Sequence, residues 1–512
     1  MQKIKNKIAD IILYGFVLLF IWIISNGLLN YDAVSYDFNP VLLSIYIIVY
    51  LALLVFVRRK AAVYLSRIKY LPAVLLTVFG IISLVTGLIF RVNPSWDMGE
   101  VFNIAKAAAN GDAIETYYLY YYPNNAMMAI IYTVVFKIAM LFGASDLVTV
   151  ATCFNSLFVT ETAVFIYFSV CRLYDKQHGM LVLLITLFTT PLYLQSAIYY
   201  TDSASMFFTS LTFYLVVCAV KADTKIKSVV IQILLGITVF VGFETKLTTF
   251  ILIIALVIYA LYRGFSLAEV KKVFIAFISF AVMFTAFTVA KNAVYDSELS
   301  DRYQYPPEHW IMMGLNGVGG FSLDDCVYTN SYESYELKQQ ADREMIAERL
   351  SWYNTNTFIK HITQKLKFAW TDGVYYAPEK LRREPVDKGF FHEFVLYDGK
   401  YTPYYKYFPQ TMHFGMLILM TISAYSLIKC KTKTGRKGIE AALVLAVLGI
   451  ALFLIIWENR SRYILTMLPA MMILQLSGLD YLIGRLEERK KEKKNAQSVI
   501  GNTDVLRGRS SE

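Results

Sequence analysis

Apolar segments long enough to cross a bilayer recur from one end of this chain to the other. They fall at about 10–29, 40–57, 71–90, 126–142, 147–170, 179–198, 205–220, 226–242, 247–262, 272–290, 411–428, 438–456 and 463–483. A helix needs roughly 20 apolar residues to cross the hydrocarbon core. Runs of this length recurring along the whole chain read as an all-α polytopic membrane protein. Composition agrees: 17% of the 512 residues are charged, against about 25% in a soluble domain. A soluble enzyme, a coiled coil and a disordered chain are excluded. The many Tyr (38) and Phe (35) residues suit a broad membrane–water perimeter.

The net charge of +10 does not point to nucleic acid, because the excess sits in short loop clusters, which is a topology signal. Lys3, Lys5 and Lys7 precede an apolar run with no small-residue cleavage site after it, so an uncleaved first span is expected. Crossing with all thirteen segments would put two strongly basic ends on opposite sides. The segment 126–142 carries Lys137 and follows the tyrosine-rich run Tyr117–Tyr122, and it reads as a helix lying in the interface. About 12 spans then remain, with both termini cytoplasmic. Arg58, Arg59, Lys60, Arg172, Lys176, Lys221, Lys225, Arg263, Lys271, Lys429, Lys431, Lys433 and Arg436 fall inside, while the turns at 30–39 and 199–204 hold no Lys or Arg.

The chain divides accordingly into N-terminal spans (1–90), a first outer loop (91–146), a span core (147–290), an outer domain expected to be mixed in structure (291–410), C-terminal spans (411–484) and a basic tail (485–512), of which 486–512 is expected to be disordered. Helices are expected near 98–109, 331–351 and 356–370. Only Cys326 of the five cysteines falls outside on this topology, so no intramolecular disulfide is expected there.

Ionisable groups at a membrane edge are costly and therefore candidates for function, and four outer turns carry them. Asn93–Phe102 holds Asp97 and Glu100, one helical turn apart. Asp97 is either a helix N-cap or a general base towards a hydroxyl. Tyr199–Ser203 holds Asp202, again a cap or a site group. Gly242–Lys246 holds Lys246, which can bind a phosphate, snorkel, or pair with Glu244. Trp457–Tyr463 holds Arg460 and Arg462, whose guanidinium forks suit a phosphate or ordinary lipid headgroups. His309 and His361 lie in the long outer region, where a lone His is usually structural. No nucleotide-binding or paired-cysteine pattern appears, and no cofactor or metal is expected.

Trp96-Asp97-Met98-Gly99-Glu100-Val101-Phe102, then Tyr121-Tyr122-Pro123-Asn124-Asn125, Tyr200-Thr201-Asp202-Ser203, Gly242-Phe243-Glu244-Thr245-Lys246, His309-Trp310-Ile311-Met312-Met313-Gly314 and Glu458-Asn459-Arg460-Ser461-Arg462-Tyr463 occur in that order. This ordered set resembles the membrane-embedded GT-C glycosyltransferases, in particular the protein O-mannosyltransferase-like group (glycosyltransferase family thirty-nine) of Gram-positive bacteria, over about 90–480. The resemblance implies a polyprenyl-phosphate-linked sugar as donor, a glycopolymer or protein acceptor, and transfer outside the cytoplasmic membrane. It maps the catalytic aspartate onto Asp97. The family's acidic pair is broken here by Met98, and Glu100 is the acid next in line. Lys246, Arg460 and Arg462 would hold the donor phosphate, with Asp202, His309, Tyr122 and Asn124 in support. A transporter or flippase of lipid-linked saccharide, or a polysaccharide polymerase, would use the same basic turns.

Overall fold

The computed structural model describes residues 2–29, 38–264, 266–430 and 435–508; most of the expected turn at 30–39 and the loop residues Lys431 and Lys433 lie outside them. Among the described residues the chain is helical, with one isolated β-bridge between Val92 and Pro385. Among the described residues eleven helices are long and apolar enough to cross a membrane, and Lys176–Phe188 and Leu247–Arg263 are shorter apolar helices. The chain is a multi-pass membrane protein.

Local chemistry starts these helices where the sequence suggests. Asn39 Oδ1 accepts from the amides of Val41 and Leu42, both at 3.0 Å, with Pro40 in the first turn. Asp146 caps Leu147–Leu173 through the Thr149 amide at 3.0 Å. The expected span 179–198 is broken instead: Lys176–Phe188 stops, and Thr190–Gln195 begins anew around Pro191. Proline removes a backbone donor and pushes the residue before it out of the helical region.

The core of the bundle joins Tyr407–Lys429, Gly435–Ile456 and the long helix Leu468–Gly508 through Leu417, Met420, Ile450, Met471 and Leu474, all buried. Gly478 lets two of these backbones touch, since a Cβ there would lie 1.8 Å from the Leu419 carbonyl oxygen. Leu267–Val294 packs on the outside of Lys225–Thr245, and none of its described side chains is buried, as a lipid-facing helix requires.

Two expectations need correction. The tail from 486 does not leave the helix, which runs on to Gly508. Its Glu, Lys and Arg residues are strong helix formers, and Arg485 pairs with Glu488 at 2.6 Å. The 291–410 region is also not mixed: its elements are helices, including Pro307–Gly314, Tyr335–Ser351, Thr355–Trp370 and Ala377–Leu381, with no strand among the described residues. The segment expected to lie in the interface is, with the turn before it, long enough to cross as Pro123–Leu141; its helix Ala126–Leu141 lies along Trp96–Asn110, with Phe102 and Phe136 in edge contact at 5.1 Å. Its other face exposes Ile130, Val134, Ile138 and Leu141.

The 291–410 region is tied to the rest at two places that matter for the site. The Asn93 amide donates to the Glu384 carbonyl at 2.7 Å and the Val386 amide to that of Arg91 at 2.9 Å. This brings the segment after Ala377–Leu381 against the entry to Trp96–Asn110. The glycine-rich run docks on the turn after Gly435–Ile456, where a Cβ on Gly314 would meet the Ile456 carbonyl oxygen at 2.5 Å.

Candidate functional site

The four charged turns do meet, at one end of the bundle, around Asp202. This residue lies in the first turn of Thr201–Val220 and is 1% exposed. One carboxylate oxygen receives Lys246 Nζ and the other Arg462 Nη1 at 2.9 Å. Asp202 is therefore not a helix cap, and Lys246 does not pair with Glu244. Two buried cations share one buried acid, an arrangement that costs little only while all three are present. The Arg462 guanidinium also lies over the rings of Tyr463 at 4.8 Å and of Trp96 and Tyr200 at 5.7 Å each.

Asp97 is different. Ser95, not Asp97, stands at the N-cap of Trp96–Asn110, and the Asp97 carboxylate makes no hydrogen bond or ion pair among the described residues. It is half-buried in the first turn of that helix. Burial raises the hydroxyl pKa of Tyr118, Tyr122 and Tyr200, and the nearby Asp97 charge adds to the effect. Glu100 does not face this cluster: it accepts from the Thr116 hydroxyl at 3.3 Å. Asn124 is exposed, whereas its neighbour Asn125 is buried, donating to Tyr118 Oη at 2.7 Å and accepting from Tyr200 Oη at 3.1 Å. Tyr122 packs between Tyr118, Tyr305 and Trp310.

His309 is fully buried. Its Nδ1 faces Thr329 Oγ1 at 2.8 Å, its Nε2 faces Cys326 Sγ at 3.8 Å, and its ring stacks on Tyr305 at 4.2 Å. Burial pulls its pKa down to about 4. Thr329 in turn donates to Asp342 at 2.7 Å, so His309 pins together three helices of the 291–410 region.

The turn bearing Arg460 is held from every side. The Asn459 amide donates to the Gly319 carbonyl at 2.7 Å and its side chain to that of Lys365 at 2.6 Å. Lys365 Nζ donates to the carbonyls of Gly314 at 2.7 Å and Trp457 at 2.9 Å. Ser461 donates at 2.7 Å to the buried Asp372, which also accepts the Tyr376 amide at 2.9 Å. Glu458 accepts from the Tyr463 hydroxyl, and burial pushes its carboxyl above the ordinary range. Yet the Arg460 guanidinium has no hydrogen bond or ion pair among the described residues, and lies between the rings of Phe368 at 4.7 Å and Tyr376 at 4.8 Å.

The sequence reading missed Lys380. It projects from Ala377–Leu381, 7% exposed, with Nζ 3.2 Å from the centre of the Trp96 ring and 5.6 Å from that of Tyr376. It too makes no hydrogen bond or ion pair among the described residues. Burial first, then the charges of Arg462 and Arg383, pull its pKa down to about 6. Among the described residues three non-glycine positions have positive φ, Trp96 (48°), Tyr375 (52°) and Tyr376 (62°), and all belong to this corner. Left-handed backbone at bulky residues costs about 1–2 kcal/mol each and gathers where structure is bent to a purpose. Nothing in the sequence marks it.

Residues 2–480 match the family model described as conserved hypothetical integral membrane protein. The chain belongs to that family. The match takes in every site residue from Trp96 to Tyr463 and ends before most of the charged tail. A search of curated proteins returned no match.

Four basic side chains, Lys246, Lys380, Arg460 and Arg462, meet four acids here, Asp97, Asp202, Asp372 and Glu458; burial pushes the carboxyls of Asp372 and Glu458 above the ordinary range, and Lys380 and Arg460 have no acid partner among the described residues. An anion is the natural guest of such a site. A carboxylate left unpaired beside it can take a proton.

Proposed function

We propose that this membrane protein is a polyprenyl-phosphate-sugar-dependent glycosyltransferase, a hexosyltransferase acting on an acceptor hydroxyl at the outer face of the cytoplasmic membrane, with a cell-wall glycopolymer as the acceptor. The observation that carries the reading is the unpaired Asp97 carboxylate set in the same corner as Arg460 and Lys380, basic groups with no acid partner among the described residues. The resemblance to GT-C glycosyltransferases supports it.

The donor keeps its lipid tail in the bilayer and brings its phosphate to the basic corner. Asp97 takes the proton of the acceptor hydroxyl as that oxygen attacks the anomeric carbon. The bond from that carbon to the phosphate oxygen breaks, and the polyprenyl phosphate leaves with the electron pair. Arg460 stabilises the charge that develops on it, and Arg462, fixed on Asp202, adds a preorganised field. The helices of 291–410 cover the site and shape the acceptor groove. Both termini are cytoplasmic on this reading.

The test is reconstitution in liposomes with radiolabelled polyprenyl-phosphate hexose and wall polymer. Label appearing covalently in the polymer supports the transferase. Label crossing the bilayer without covalent transfer makes the protein a flippase. A cysteine placed at Lys176 should resist an impermeant thiol reagent added from outside, and rapid labelling would overturn the orientation.

A further inference from the structure

We infer that Lys380 and Arg460, both set against the Tyr376 ring, form the grip of the site for a phosphate-type anion, while Lys246 and Arg462 build its floor. The inference rests on reading this corner as a phosphate-handling site. It keeps Arg460 from the cations the sequence singles out, adds Lys380, and takes Lys246 and Arg462 out of direct contact with the ligand.

Lys246 and Arg462 both spend their charge on Asp202. To bind a ligand they would have to leave a buried acid unmatched, which typically costs several kcal/mol. Arg382 and Arg383 are likewise taken, by Glu379 at 2.6 and 3.7 Å. Lys380 and Arg460 have no such partner, and they flank one ring, Tyr376, at 5.6 and 4.8 Å. That ring is held in place by the Asp372 clamp on its amide. The same Asp372 binds Ser461, next to Arg460. One buried acid thus fixes the spacing of both free cations. A guanidinium fork and an ammonium point charge complement each other on a phosphate group.

The neighbours of Lys380 give the site a second property. Asp97 faces it from Trp96–Asn110, Asp202 from Thr201–Val220, Arg462 from the turn after Gly435–Ile456, and Glu379, Arg382, Arg383 and Tyr376 from its own segment. Burial first, then the charges of Arg462 and Arg383, hold the Lys380 pKa down to about 6 against the pull of Asp97 and Asp202. An anion placed beside the amine favours its protonated form. Binding then takes up one proton, and affinity weakens by up to about tenfold per unit as pH rises above 6.

Binding of farnesyl phosphate and of inorganic phosphate to the purified full chain in nanodiscs tests this, with Trp fluorescence as readout because Lys380 sits on Trp96. Lys380→Met keeps the buried stem and should weaken binding at least tenfold at pH 6, as should Arg460→Ala. Lys380→Arg should bind within a few-fold of wild type at pH 6, yet lose the extra pH dependence between 6 and 8. The titration of the probe itself is common to both proteins and cancels in that comparison. Wild-type affinity in both Lys380→Met and Arg460→Ala overturns the inference, as does a pH dependence unchanged in Lys380→Arg. Lys380-dependent binding of farnesyl phosphate alone supports the inference and makes the ligand a lipid phosphate. Equal binding of both probes supports it with the phosphate group as the whole determinant. The assay needs no sugar transfer. Lys380-dependent binding without transferase activity therefore sinks the enzyme reading alone, and transfer with unaltered binding in the variants sinks the grip alone.

Discussion

The two ends of the helix bundle treat charge in opposite ways. At the end away from Asp202, Arg58 Nε meets Asp480 at 3.0 Å, and His178 Nε2 lies 2.7 Å from the same carboxylate. Asp175 caps Lys176–Phe188 through two amides at 2.8 and 2.9 Å. The fully buried Glu440 takes the Tyr174 hydroxyl at 2.6 Å, the Ser477 hydroxyl at 2.9 Å and Lys437 at 3.0 Å. Each of these acids meets a cation or a donor, and the result ties four helices together. At the other end Asp97, Lys380 and Arg460 are left open. A closed network contributes order to a fold, whereas open charges next to strained backbone contribute readiness for a guest. The contrast lies in the pairing, since both ends are rich in ionisable groups.

The largest effect expected of this contrast is chemical. Asp97→Asn should lower single-turnover transfer by about 10²–10⁴-fold and leave thermal unfolding unchanged, because the carboxylate holds nothing in the resting protein. Activity within a few-fold of wild type would remove Asp97 as the base. Next comes stability: Asp202→Asn strands Lys246 and Arg462 together and should cost about 3–5 kcal/mol, read as a fall in denaturation midpoint. A silent Asp202→Asn would mean that this trio is not the foundation of the site. At the closed end, Asp480→Asn should cost about 1–3 kcal/mol with donor binding intact, and altered binding there would blur the distinction between the ends. Smallest of all is a difference between neighbours: Asn125→Ala should lower stability by about 1–2 kcal/mol through its two tyrosine hydroxyls, while Asn124→Ala changes nothing measurable.

That last pair shows how far a sequence can be read. Apolar length is a property of each segment alone, so the helices, including Trp96–Asn110, Tyr335–Ser351 and Thr355–Trp370, stand close to where the pattern puts them. The charged turns were legible as well, because Lys246, Arg460 and Arg462 are conspicuous beside spans. Their partners were not, since Asp202 and Arg462 are 260 residues apart and no local rule pairs them. Which of Asn124 and Asn125 turns inward depends on the short helical turn at Pro123–Asn125. Lys380 lies in a polar stretch where one more lysine carries no signal, and only the fold sets it on Trp96. The helical tail was misjudged because charge density suggests disorder, although the same residues favour a helix.

The backbone at Trp96, Tyr375 and Tyr376 has a consequence for anyone who sets out to make this protein sturdier. Glycine or asparagine would relieve about 1–2 kcal/mol of strain at each position, but removing a large packed ring costs about 3–5 kcal/mol; Tyr375 is 2% exposed and its hydroxyl meets His413 Nδ1 at 3.0 Å. A search for heat-resistant variants should therefore pass these positions by. Glycine at Trp96 or Tyr376 should lower melting temperature and anion affinity together, because Lys380, Arg460 and Arg462 rest on those rings.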